Sequence, residues 1–299
     1  MEFAPRMSRF KPSPSQIASA RVRDLIAEGR DIVKLTAGEP DFPTPDHAKA
    51  AALACMDANE IKYTPINGLI EMRKAAQLKF KRDNGLDYGL DQIAVGAGAK
   101  QVLFNALMAT VSQGDEAIVP GPYWASYPDM IQLAGGTPVF INSGQNSQFK
   151  MRPEDLAAAI TPNTKWLMFC MPGNPTGAVY SPEEMRGLAD VLLQHPHVNI
   201  LTDDVYEHLI FDGRVFSTFA QIEPKLYDRT VTVNSCSKAY SMTGWRIGFA
   251  GGPKDIIANM SKMQSQSASG VSAVSQAAAV AALEGPQDFV KKRTANLQY

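Results

Sequence analysis

Two hydrophobic periods alternate along most of the chain. Ser181-Pro182-Glu183-Glu184 has the form of a capping box with proline at the first helical position. Behind it Met185, Leu188, Ala189, Leu192 and Leu193 recur at helical spacing until His195-Pro196 interrupts them, which predicts a helix ending there. Further helical patterns run from Ile17 to Glu28, from Gln101 to Thr110 and from Asp288 towards Tyr299. Between them lie short apolar runs that read as buried strands: Gln92 to Val95, Lys165 to Cys170, Val198 to Leu201 and Thr230 to Asn234. Strands alternating with helices predict an α/β domain with a mostly parallel sheet.

Three of these strands end in polar groups. The first of the three leads into Pro172-Gly173-Asn174-Pro175-Thr176-Gly177, the second into Thr202-Asp203-Asp204, and the third into Ser235-Cys236-Ser237-Lys238. Ligand crevices of open α/β sheets lie at the carboxyl ends of the strands, so Asn174, Asp203 and Lys238 are expected to converge. The proline-rich stretch Lys11 to Asp46 breaks the alternation and reads as an arm plus part of a second, smaller domain. Residues 1–45 are therefore assigned to that arm and partial small domain, and 46–299 to the large domain.

Composition narrows the classes. A chain of 299 residues, 45% hydrophobic and 20% charged, is long enough for one large or two modest domains with a sizeable core. A net charge of -1 offers no electrostatic reason to expect nucleic acid or an anionic membrane as partner. No run approaches the roughly 18 apolar residues of a membrane helix, and the N-terminus, with Glu2 and no apolar stretch, is not a secretory signal. Cys55, Cys170 and Cys236 form no Cys-x-x-Cys pair, which fits a reducing, cytoplasmic setting. His47, His195, His197 and His208 show no metal-ligand spacing, so solvated or capping roles and no metal site are expected.

The richest chemistry lies in Ser235-Cys236-Ser237-Lys238-Ala239-Tyr240-Ser241-Met242-Thr243-Gly244-Trp245-Arg246-Ile247-Gly248. A lysine at a strand end, flanked by hydroxyls and followed eight residues later by an arginine, suits an aldehyde cofactor that carries a phosphate. The lysine must be a neutral amine to form a Schiff base, and partial burial lowers its pKa towards that state. Arginine holds a phosphate with a bidentate fork. Taken alone, Lys238 reads equally well as a surface lysine. Val95-Gly96-Ala97-Gly98-Ala99-Lys100 places small residues where a strand turns into a helix, so that a phosphate can approach the exposed N–H groups. Its lack of a third glycine makes a dinucleotide fingerprint, and with it nicotinamide chemistry, a poor second.

Bland readings stand beside each candidate. Asp203 could cap a helix at a strand-to-helix turn, and Asp204 suits that role better. Asn174 could be an ordinary turn residue, Trp124 a core aromatic and Tyr63 a buried tyrosine. Lys100 could be an exposed lysine opposing a helix dipole, and Lys11 a solvated arm residue.

Six ordered motifs decide among these readings. They are Gly38-Glu39-Pro40-Asp41-Phe42, Tyr63-Thr64-Pro65-x-x-Gly68, Pro122-Tyr123-Trp124-x-x-Tyr127, Asn174-Pro175-Thr176-Gly177, Asp203-Asp204-Val205-Tyr206 and the lysine segment. Together they resemble the class I aminotransferases, and within these the bacterial aspartate aminotransferases of the subgroup that also contains prephenate aminotransferases. The resemblance runs from Lys11 to the C-terminus. It implies a pyridoxal-phosphate fold type I large domain with an incomplete small domain, and pyridoxal 5'-phosphate as cofactor. It implies ping-pong transamination of an amino acid, most simply aspartate, with 2-oxoglutarate, and with prephenate as a possible acceptor.

Roles carry over residue by residue. Lys238 would form the Schiff base and move the proton at the substrate Cα, Asp203 would pair with the pyridine nitrogen, and Tyr206 and Asn174 would hydrogen-bond the phenolic oxygen. Trp124 would stack on the ring, while Arg246, Ser235 and the amides around Ala99 would hold the phosphate. Tyr63 would reach the phosphate of a neighbouring subunit, implying a homodimer with shared sites. Gly38, Lys100, Lys11, Trp124 and Asn174 would contact substrate. Family members continue past the last residue here, and their further segment carries the arginine that clamps the α-carboxylate. Arg293, in Lys291-Lys292-Arg293, reads instead as part of a solvated helix face. The rival readings are another reaction on the same cofactor, such as a β-lyase, and a truncated cofactor-binding protein without turnover.

Overall fold

A computed structural model describes residues 1–298; Tyr299, the expected end of the last helix, lies outside the described residues. In chain order the helices and strands are α1 (Pro14–Ala27), α2 (Asp46–Asp57), α3 (Ile70–Asn84), β1 (Ile93–Gly96), α4 (Ala99–Thr110), β2 (Glu116–Gly121), α5 (Ser126–Ala134), β3 (Thr137–Asn142) and α6 (Pro153–Ala159). There follow β4 (Thr164–Cys170), α7 (Pro182–Gln194), β5 (Asn199–Asp203), α8 (Phe219–Ile222), β6 (Thr230–Ser235), β7 (Gly248–Gly251), α9 (Lys254–Ser265), α10 (Ala273–Glu284) and α11 (Asp288–Leu297).

The strands form one seven-stranded sheet in the order β1-β7-β6-β5-β4-β2-β3. Only β7 runs against its neighbours β1 and β6; the other pairs are parallel. Side-chain alternation divides the sheet between two layers of helices. Trp166, Met168, Leu201, Val231 and Val233 pack with α4 and α9, whereas Leu167, Phe169 and Ile200 pack with α6 and α7. A third cluster joins Ile93, Val95 and Phe249 to α2, α3 and α10.

The capping box forms as expected: Ser181 Oγ accepts from the Glu184 N–H (3.2 Å) and the Glu184 carboxylate accepts from the Ser181 N–H (2.7 Å). Met185, Leu188, Ala189 and Leu192 are all fully buried on the inner face of α7. All four expected strands are present within one or two residues of their expected ends.

The alternative reading of Asp203 or Asp204 as a helix cap fails: turns follow β5, and no helix begins until Phe219. Neither acid therefore caps a helix. Asp204 is buried, its carboxyl is pushed up by burial and the nearby Glu207, and its oxygen accepts from Thr202 Oγ1 (3.2 Å). Arg293 also departs from the solvated-face reading. It donates to Ser241 Oγ (2.8 Å) and the Pro43 carbonyl and lies over the rings of Phe42 and Phe289, tying α11 to the segment before α2. No residue from 1 to 44 is buried, in contrast to the sheet. Among the described residues, no helix is long and apolar enough to cross a membrane, and the three cysteines are free.

Candidate active site

The expected convergence occurs. A cavity of about 1050 Å³ opens at the carboxyl ends of β4, β5 and β6 and the N-terminus of α4. Its wall includes Asn174, Asp203, Tyr206, Ser235, Lys238, Arg246, Ala99, Lys100, Trp124 and Gly38. The parallel register sets their level: Cys170 pairs with Asp203, and Asp203 with Val233, so the chain leaves all three strands beside the same space. Helix α1 and Thr36 to Glu39 close the remaining side, with Ser19 Oγ donating to Thr36 Oγ1 (3.2 Å).

One end of the cavity is built for an anion. Ala99 and Lys100, the first residues of α4, line it at the positive end of the helix dipole. Arg246 curls over this end, donating to the carbonyls of Thr243 (2.9 Å) and Ala97 (3.2 Å). Its own backbone takes the left-handed conformation (φ 52°), at a cost of about 1 kcal/mol or more for a residue with a side chain. Gly98 precedes α4 with φ +85°, and a Cβ there would sit 2.3 Å from the Arg246 guanidinium. The backbone conformation thus favours glycine, while the guanidinium, at the end of a flexible side chain, could move aside from a Cβ. Ser235 Oγ accepts from the Ser237 N–H (3.2 Å), leaving its hydroxyl proton available to a ligand.

The other end is built for a cationic or N–H donor. Asp203 is 5% exposed, and Tyr127 Oη donates to its Oδ2 at 2.6 Å. Its Oδ1 is buried and has no partner among the described residues. Burial pushes the Asp203 carboxyl up to about 6, against the hydrogen bond from Tyr127, the Val205 amide and the charge of Lys238, which favour the carboxylate. An unpartnered buried carboxylate oxygen is costly unless a ligand supplies the proton.

Lys238 lies between these ends. Its Nζ donates to the Gly38 carbonyl and sits 5.8 Å from the Tyr206 ring centroid. Burial lowers its pKa, opposed by Glu39 and Asp203, so the amine is more readily neutral than an ordinary lysine. Asn174 Nδ2 donates to Tyr206 Oη (3.3 Å), and burial raises the Tyr206 phenol, which keeps it a proton donor. Trp124 stands edge-on to Tyr127, and Lys100 Nζ lies 4.9 Å from the Trp124 ring centroid. Lys100 is lowered by desolvation and by Arg246, and the charge of an incoming anion would offset both.

Two expected residues stand apart. Lys11 is exposed and does not line the cavity, although its neighbour Pro12 does. Tyr63 is fully exposed and lies outside its own chain's cavity. Three wall or support residues were not anticipated. Glu39 accepts from Thr243 Oγ1 (3.1 Å), Arg23 reaches the wall from α1, and Tyr127 supports Asp203 from behind. His208 is not solvated either. It lies between Asp83 (3.4 Å) and Glu207 (3.2 Å), outside the cavity, and these three groups lie within 4.8 Å of one another. Lys79 pairs with Glu207 at the same place, so the acids there already have cations.

The cavity can therefore hold a planar aromatic ring with a phosphate at one end and a basic ring nitrogen at the other, with an amine at its centre. The family model for aminotransferases of class I and II matches residues 30–299. An aspartate/prephenate aminotransferase of Cereibacter sphaeroides is 54% identical over 284 residues, covering 95% of this chain and 71% of that protein. An aspartate aminotransferase of Rhizobium meliloti is 51% identical over 99% of this chain and 72% of its own length. Among solved structures, the aspartate aminotransferase of Rhizobium meliloti superposes with a TM-score of 0.96 at 50% identity, over 100% of this chain and 74% of that one. The aspartate aminotransferase of Thermus thermophilus with maleate superposes with a TM-score of 0.94 at 39% identity, over 99% and 77%.

Proposed function

Because the chain belongs to the class I and II aminotransferases, whose cofactor is pyridoxal 5'-phosphate, we propose that it transfers the amino group of aspartate to 2-oxoglutarate, with prephenate as a further acceptor. The observation that carries this reading is the single cavity uniting Lys238, Asp203 and an anion-binding end. When bound, the cofactor supplies a carbonyl carbon that takes up the amino group and a ring that draws electron density from the substrate Cα.

The chain's own residues do the rest. The lowered pKa of Lys238 leaves its amine able to take a proton from the substrate Cα and return it. Asp203 Oδ1 would accept a hydrogen bond from the ring N–H, and Asn174 and Tyr206 would hydrogen-bond the phenolic oxygen. Arg246, Ser235 and the amides of α4 around Ala99 hold the phosphate, and Trp124 covers the ring. Lys100 and Gly38 face the substrate side, and Lys11 enters it with a shift of the arm. The fully exposed Tyr63 completes the phosphate site of a second copy, giving a homodimer. Residues 1–45 form an arm and small-domain part over the cavity, and 46–299 the cofactor domain. Free cysteines suit a cytoplasmic setting. The β-lyase and non-catalytic readings are not favoured, because the relatives named above are aminotransferases.

The test is the absorption spectrum of the protein with pyridoxal 5'-phosphate, before and after aspartate. The expected outcome is a visible band that Lys238→Ala abolishes and that aspartate converts with release of oxaloacetate. Pyruvate and ammonia from cysteine-type substrates, with no dependence on an oxo acid, would instead establish the lyase.

A further inference from the structure

Asp203 has two oxygens in two different situations. Oδ2 is held by Tyr127 Oη at 2.6 Å, and Oδ1 is buried without a partner among the described residues. Tyr127 itself is 3% exposed at the start of α5, one turn from Trp124, so its ring has little freedom. We propose that Tyr127 is a positioning residue for the cofactor's ring nitrogen: by fixing Oδ2 it turns Oδ1 into the cavity as a carboxylate acceptor. The inference rests on the pyridoxal-phosphate reading above.

The chemistry has one consistent direction. Tyr127 can serve Asp203 only as a donor, because burial and the adjacent carboxylate both raise its phenol, so the proton stays on the tyrosine. A carboxylate that receives this proton on one oxygen keeps its charge and offers the other to an N–H group. Without the phenol, only the Val205 amide and the charge of Lys238 oppose burial at Asp203, and the balance shifts towards the protonated, neutral acid. A neutral acid with a free torsion is a poorer acceptor on both counts. A second chain element, α5, thus participates in cofactor binding although Tyr127 does not line the main cavity.

The experiment compares the affinity of the apoprotein for pyridoxal 5'-phosphate and for its 1-deaza analogue, in which a C–H replaces the ring nitrogen. Equilibrium dialysis gives Kd for the wild type, Tyr127→Phe, Asp203→Asn and the double variant. The expected result for Tyr127→Phe is about a tenfold loss of affinity for pyridoxal 5'-phosphate, the scale of one hydrogen bond to a charged group, and no loss for the deaza analogue. In the Asp203→Asn background the same change should add nothing. Equal losses for both ligands would overturn the proposal, because they would mark Tyr127 as packing only. So would a Tyr127→Phe effect that persists in the Asp203→Asn background, or no effect for either ligand. Should Tyr127→Phe fail to fold, Tyr127→His restores a donor of different reach. An unchanged preference for the nitrogen-bearing ring over the deaza ring in this variant supports the proposal, and loss of folding there too overturns it. Failure of wild type to bind the cofactor at all would strike the functional reading instead.

Discussion

Asp203 ends β5 and Glu207 lies four residues further on in the turn, and both are buried, yet their surroundings are opposite. Glu207 is surrounded by partners: Lys79 pairs with it, His208 Nε2 lies at 3.2 Å and Asn84 Nδ2 donates to it at 2.9 Å. These cations overcome burial and hold its carboxyl down at about 2. Asp203 has one side-chain donor, an oxygen without a partner among the described residues and a carboxyl pushed up to about 6. The first arrangement satisfies its charges within the chain and fastens α3 to the turn that carries Tyr206. The second keeps a valence open towards the cavity. Burial alone does not mark a functional acid; burial with an unmet partner does.

The sharpest way to break this contrast is to remove the cation from the satisfied site. Lys79→Ala breaks the buried Lys79–Glu207 pair, leaving Glu207 with His208 and Asn84, and is expected to cost about 3 kcal/mol of stability, the lower end of the scale for breaking a buried pair. Urea unfolding measures it, and the protein that remains folded should bind pyridoxal 5'-phosphate as before. A loss below about 1 kcal/mol would show that the pair is not the anchor it resembles.

The opposite change at the open site should have the opposite sign. The folded state raises Asp203 from 3.8 to about 6, so it holds a proton the unfolded chain has released, and stability falls as pH rises through that window. Asp203→Asn removes the penalty. The apoprotein should gain about 3 kcal/mol at pH 8, with the gain vanishing below pH 3.8, while affinity for the cofactor falls. Thermal melts at the two pH values decide it, and an apoprotein destabilised at pH 8 would contradict the reading.

A smaller effect sharpens the comparison. His208 is raised from 6.5 to about 9, against desolvation, by hydrogen bonds to Asp83 and Glu207. Its contribution is fully present below pH 6.5 and is lost as pH rises through about 9. Stability should therefore decline between these values in the wild type, and the decline should flatten in His208→Gln. An identical slope in both would remove His208 from the network.

Legibility in the sequence followed the range of the interaction. The capping box at Ser181 and the four strand runs depend on neighbours in the chain, and the structure reproduces them. The convergence of Asn174, Asp203 and Lys238 was legible too, because parallel strands of similar length deliver their ends to one edge. Tyr127 and Asp203 are 76 residues apart, and the partners of Arg293 lie 52 and 250 residues away. No local pattern announces such pairings. His208 was misread for the same reason: a lone histidine carries no sign of an acid delivered by α3.

The sequence by itself determined the alternating elements, the polar groups at the strand ends and the kind of cofactor that Lys238 and Arg246 could serve together, since periodicity and side-chain chemistry are properties of the chain. Only the tertiary structure decided which acid at the end of β5 stays open and which is closed. Strand alternation and the turn after Asp203 send adjacent carboxyls to different neighbours. Their charge states then depend on desolvation and partners, which exist only once the layers have packed.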